Sequence, residues 1–148
     1  MRCNAAALAV VLALPGAAAA AAPLDELGSH QGQVVYVDFW ASWCTPCRQA
    51  FPWLQAMHES YALRGLSIVA VDVDANRADG ERFLKRFHPG FEVRFDPSGS
   101  LARQFKLEGM PCSVLIDRRG NVRFTHIGFS DKDRITYERQ LRELLDEP

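Results

Sequence analysis

Residues 37–52 read "VDFWASWCTPCRQAFP" and set Cys44 and Cys47 in a C-x-x-C pair directly after a run of strand-forming residues. Val34 to Trp40 is dominated by β-branched and aromatic side chains, starts shortly after Gly32, and is apolar on both faces. That composition predicts a central strand covered from each side. A helix is expected from about Cys44, because Cys47, Phe51, Leu54, Met57 or His58, and Tyr61 recur at close to the helical period. Cys44 then stands at a strand-to-helix junction, where unpaired backbone N–H groups and the positive end of the helix dipole face its sulfur. Such sites favour thiolate and lower a cysteine pKa from about 8.5 into the range of about 3.5–7.5. Cys47, one turn later on the apolar stripe, should be the more buried sulfur. The asymmetry assigns roles in disulfide exchange: Cys44 attacks, and Cys47 resolves the mixed disulfide.

The neighbouring residues suit that chemistry. Pro46 stiffens the gap and fits the first turn of a helix, where a missing N–H costs little. Trp40 and Trp43 supply an apolar rim against which a partner peptide can pack, and Thr45 and Pro46 lie where the redox potential is tuned. Two other uses of the pair compete. A permanent staple across so short a loop removes little chain entropy. A tetrahedral metal site needs four ligands, and Cys112, His58, His88 and His126, weighed as additions to the pair, show no second C-x-x-C or H-x3-H spacing. No metal ligand is therefore assigned. A copper carrier using the same two sulfurs is the alternative from a different functional class.

Beyond the pair, Gly65 ends the helix and Leu66 to Val73 is a second buried strand. Arg77 to Phe87 reads as a helix stopped by "HPG", Phe91 to Phe95 as a short strand, and Leu101 to Phe105 as a brief helix after the "DPSGS" turn. Cys112 to Asp117 and Val122 to Ile127 flank the turn "RRGN" as an antiparallel hairpin. Ser130 and Asp133 have capping-box spacing and open a last helix reaching about Leu145, with "DRITYERQLRE" as its solvated face. Alternation of this kind predicts a three-layer α/β/α sandwich around a mixed sheet. Phe83, Phe87 and Phe91 are expected in the core, and His58 and His126 as packing or surface residues.

The chain of 148 residues suits one domain over residues 32–148. Residues 1–22 combine Arg2, the apolar segment Ala5 to Leu14, Pro15-Gly16 and an alanine tract, which together predict a cleaved secretory signal peptide. Residues 23–31 are expected to form a loose N-terminal segment. Without Arg2 there are 16 basic against 18 acidic side chains and no Lys/Arg block, so nucleic acid is not an expected partner. Processing would leave Cys44, Cys47 and Cys112, too few for a disulfide scaffold. Cys112 is expected to be buried and inert.

"VDFWASWCTPCRQAFP" resembles the thioredoxin active site, and "GMPCSVLIDRRGNVRFTHIGF" resembles the later proline loop and hairpin of that fold. With the leader, the segment from Asp74 to Phe95, and "LIDRRG", the chain is most similar to TlpA/ResA-type thiol-disulfide oxidoreductases of bacterial envelopes. The resemblance implies a thioredoxin-like fold and a reductant of envelope-protein disulfides, with no cofactor beyond the Cys44–Cys47 dithiol. A membrane thiol transporter would be the electron donor, and the protein is expected to be a monomer. Service in cytochrome c maturation is a further alternative. By position, Pro111 matches the family's cis-proline, with Met110 and Pro111 aligning a client's backbone, and Asp38 matches its buried acid, exchanging a proton with Cys47. Pro52 matches a helix-kinking proline. The chain departs from the family at Ala70, where thioredoxins carry a lysine, and in its short N-terminal region.

Overall fold

The computed structural model describes residues 24–28 and 30–148. The signal peptide expected over residues 1–22 lies outside the described residues. Five strands, β1 (Val34–Trp40), β2 (Leu66–Asp72), β3 (Glu92–Phe95), β4 (Cys112–Ile116) and β5 (Val122–Ile127), form one sheet in the order β3-β2-β1-β4-β5. β1, β2 and β3 run parallel, while β4 is antiparallel to both β1 and β5. The sheet is therefore mixed, as the alternation of elements predicts.

Every residue of β1 is buried, because β1 is central and both of its faces are covered. Val34, Tyr36 and Trp40 pack on one face with α2 (Thr45–Tyr61), α3 (Arg77–Phe87) and α5 (Asp131–Asp146). Val35, Val37 and Phe39 pack on the other with Leu101 of α4 (Ser100–Gln104) and with Leu27. The period of two along β1 thus divides the interior into two cores. Phe83 and Phe91 are buried and Phe87 packs against them, so these phenylalanines belong to the core of the α2 face.

The N-terminal segment differs from the loose stretch expected over residues 23–31. Leu24–Leu27 forms a short helix, α1, and the Leu27 side chain is fully buried in the second core. His30 accounts for the difference: one ring nitrogen meets the Leu27 carbonyl at 2.9 Å and the other meets Ser67 Oγ at 3.1 Å. Arg94 also donates to the Glu26 carbonyl at 2.8 Å. These long-range partners have no signature in local sequence. At the other end of the chain, Ser130 precedes α5 as expected, but its hydroxyl donates to the Asp133 carboxylate at 2.6 Å and does not cap a backbone N–H. No helix among the described residues is long and apolar enough to cross a membrane.

Candidate active site

Helix α2 begins at Thr45, and Cys44 is its N-cap with extended backbone angles. The Cys44 sulfur does what a capping oxygen would do, accepting the Cys47 N–H at 3.2 Å. Pro46 lies in the first helical turn, where its lack of an N–H is harmless. Cys44 and Cys47 are joined as a disulfide. Cys44 is 4% exposed and Cys47 0%, so the order of burial is the expected one, and both sulfurs are buried. Cys44 Sγ is bonded to Cys47, which lies in the core with Phe51 and Leu54. Exposure around the pair is supplied by Trp43, 67% exposed, and by Thr45 and Pro46. Farther along the helix, Pro52 lies inside α2 on its exposed side.

The Met110–Pro111 peptide is cis. Pro111 immediately precedes β4, its carbonyl accepts the Gly128 N–H at 2.8 Å, and Cys112 pairs with Phe39 of β1. Met110 is half-buried and packs against both cores. Cys112 is buried, and burial followed by the nearby Asp38 charge pushes its thiol up to about 11. At neutral pH it stays an uncharged S–H group, a poor nucleophile.

Asp38 is 3% exposed, between Ala70 on β2 and Ser113 on β4. Burial raises its carboxyl to about 8, and its Oδ2 has no hydrogen-bond partner among the described residues. No cation stands opposite, because the register places Ala70 there. A carboxyl of this kind holds a proton at neutral pH and can exchange it.

A thioredoxin-like family model matches residues 32–122, covering strand β1, the cysteine pair and the proline loop. The chain belongs to the thioredoxin-like family. Among solved structures, a candidate thiol:disulfide interchange protein DsbE from Chlorobium tepidum is 45% identical, with a TM-score of 0.79 over 80% of this chain and 84% of that one. The thiol-disulfide oxidoreductase ResA of Bacillus thuringiensis is 31% identical over 66% of this chain, which spans 56% of that protein's length. ResA of Geobacillus kaustophilus is 29% identical over 80% of this chain and 67% of its own.

Two features of this thioredoxin-like protein escaped the sequence reading. The first is a buried polar row beside Asp38: Tyr36 Oη and Ser113 Oγ are 2.8 Å apart, and Ser113 Oγ lies 3.3 Å from His126 Nδ1. His126 Nε2 continues to Gln140 Oε1 at 2.6 Å, and the ring stacks on Tyr137 at 3.7 Å. His126 is therefore a packing residue, with its pKa lowered by burial. The second feature is at the loop before Cys44. Asp74, buried just beyond β2, accepts the Ser42 N–H at 2.8 Å and the Ser42 hydroxyl at 3.0 Å. The only available signal was the repeated acid in "VDVD" at a strand end, which a turn explains equally well.

Proposed function

We propose that this protein is a thiol-disulfide oxidoreductase that reduces disulfides in other proteins. The observation that carries the reading is the Cys44–Cys47 disulfide at the start of α2, with Cys44 at the helix cap and Cys47 wholly buried behind it. The relationship to ResA proteins, described as thiol-disulfide oxidoreductases, supports it.

In the reduced form the Cys44 thiolate attacks a client disulfide. A Cys44–client disulfide forms, and one client sulfur leaves as thiolate and takes a proton from solvent. Cys47 then gives its proton to Asp38 in the fraction of molecules where that carboxyl is ionised, and attacks Cys44 Sγ. The Cys44–Cys47 bond forms, the second client sulfur leaves as thiolate and takes the proton back from Asp38, and the client has gained two electrons and two protons. A dithiol donor must return two electrons and two protons before the next cycle, and a membrane thiol transporter is the proposed source. The dithiol carries the electrons, so the cycle needs no organic cofactor or metal. Trp43, Thr45, Pro46, Met110 and Pro111 are the proposed client contacts, with Pro111 aligning the client backbone. The composition of residues 1–22 supports export, so the proposed clients are envelope proteins.

Insulin-disulfide reduction with a dithiol donor tests the reading. Cys44→Ser should abolish it, and Cys47→Ser should stall as a covalent mixed disulfide with a client. Normal turnover by Cys44→Ser would refute the assignment.

A further inference from the structure

The loop that delivers Cys44 is held from behind by an acid pair that the reaction above does not use. Ala41 accepts the Cys44 N–H at 3.1 Å, closing a turn over Ser42 and Trp43. Asp74 grips that turn with both oxygens, one on the Ser42 N–H and one on its hydroxyl. Asp72 in turn accepts the Asp74 N–H at 3.0 Å through Oδ1. Asp72 is 1% exposed and Asp74 4%. Among the described residues no ion pair reaches either of them. Two carboxylates buried side by side without a cation cannot both stay ionised at modest cost, so one of them keeps a proton. Both Asp74 oxygens already accept hydrogen bonds from Ser42. The proton belongs on Asp72, whose Oδ2 is buried without a partner among the described residues.

Helix α3 is built around this carboxyl. A Cβ at position 80 would lie 1.8 Å from Asp72 Oδ2, so any residue but glycine would displace the Asp72 carboxyl. A glycine inside a helix costs about 1 kcal/mol against alanine, and the closeness of Asp72 explains its presence. Of the charged groups around the pair, Arg77 of α3 lies over the Phe95 ring and is itself paired with Glu81. Asp79 of α3 repels Asp72 and is itself paired with Arg82. On β3 the register partner is Phe95, and the Asp96 carboxylate is turned to the amides of Ser100 and Ala102. On β1 the partner is Trp40.

We propose that Asp74 is a positioning residue for Cys44 and that Asp72 is its proton-holding partner, so that the two carboxyls set both the placement and the local charge of the nucleophile's loop. This rests on Cys44 being the attacking thiol. Asp72 loses its proton near pH 7, its carboxyl having been raised to about 7 chiefly by burial. Above that pH the added negative charge opposes the Cys44 thiolate.

The test is the rate of Cys44 alkylation by iodoacetamide in the fully reduced protein, followed from pH 5 to pH 10. Wild type should show a second inflection near pH 7 on top of the thiolate's own titration. Asp72→Asn, the neutral isostere, should remove that inflection and lower the apparent Cys44 pKa. Asp74→Asn and Ser42→Ala should each slow alkylation at pH 7 by about tenfold, the scale expected of a misplaced reacting group. Ser42→Thr, which keeps the hydroxyl, should restore most of the rate. An Asp72→Asn profile superimposable on wild type, or a Ser42→Ala rate equal to wild type, overturns the proposal. Ser42→Ala decides the matter even if Asp74→Asn does not fold. Asp38→Asn is the control, since it should leave the Asp72-dependent inflection in place. Loss of insulin reduction in Cys44→Ser, measured separately, checks the underlying assignment, so the two failures are distinguishable.

Discussion

Cys112 and Cys44 are chemically the same residue, separated in behaviour by where their sulfurs lie. Cys44 sits at the start of a helix and caps it, an environment that favours thiolate once the disulfide is reduced. Cys112 lies in the interior near the Asp38 charge, and both influences favour S–H. The expected outcome is a native protein whose Cys112 does not react with Ellman's reagent at pH 8 until it is denatured. Cys112→Ala should keep full insulin-reducing activity and lose only about 1 kcal/mol or so of stability from the small void. A Cys112 thiol that titrates in the folded protein would contradict its placement. Sequence pattern suggested this burial, since Cys112 opens an apolar strand, but not the nearness of Asp38. That nearness follows from the β1–β4 register, which pairs Asp38 with Ser113, the residue after Cys112.

At the scale of elements, α2 could be read from sequence almost to its ends, because an apolar stripe and a glycine stop are local signals. Helix α1 could not. It is four residues long, and it exists because Leu27 fills a gap over the second face of the sheet while His30 and Arg94 tie down the backbone around it. That face is otherwise covered by the short helix α4 and the chain after it, with Leu27 fully buried among them. Leu27→Ala should cost about 2–5 kcal/mol in urea unfolding, the range for a fully buried leucine. A loss below about 0.5 kcal/mol would mean that the segment is not docked. The same contrast holds for α3, whose Gly80 looks like a helix weakness in sequence and proves to be a point of close approach to Asp72.

Across the whole molecule, two buried acids dominate the dependence of stability on pH. Burial raises Asp38 from 3.8 to about 8 and Asp72 from 3.8 to about 7. In the unfolded chain both groups lose their protons near pH 4, whereas the folded protein keeps them well above that. Between about pH 4 and pH 8 the folded state therefore binds more protons than the unfolded one, and stability falls as pH rises. Below that window both states are protonated and these groups contribute no slope. Each tenfold preference for the protonated form is worth about 1.4 kcal/mol, so Asp38→Asn should gain about 2 kcal/mol or more over wild type at pH 9 and little at pH 4. Denaturant titrations at the two pH values check this. A wild-type stability that rises between pH 5 and pH 8 would show that Asp38 is solvated or paired.

The sequence by itself determined the alternation of strands and helices, the all-buried central strand, and the placement of a C-x-x-C pair at a helix start. Each of these is written in periodicity and in residue types whose conformational preferences act over a few positions. Only the tertiary structure decided which groups meet. The Asp74 grip on Ser42, the Asp72 carboxyl against Gly80, the row from Tyr36 to Gln140, and the docking of Leu27 join residues distant in the chain. Strand register and helix packing set those distances, and neither leaves a local trace.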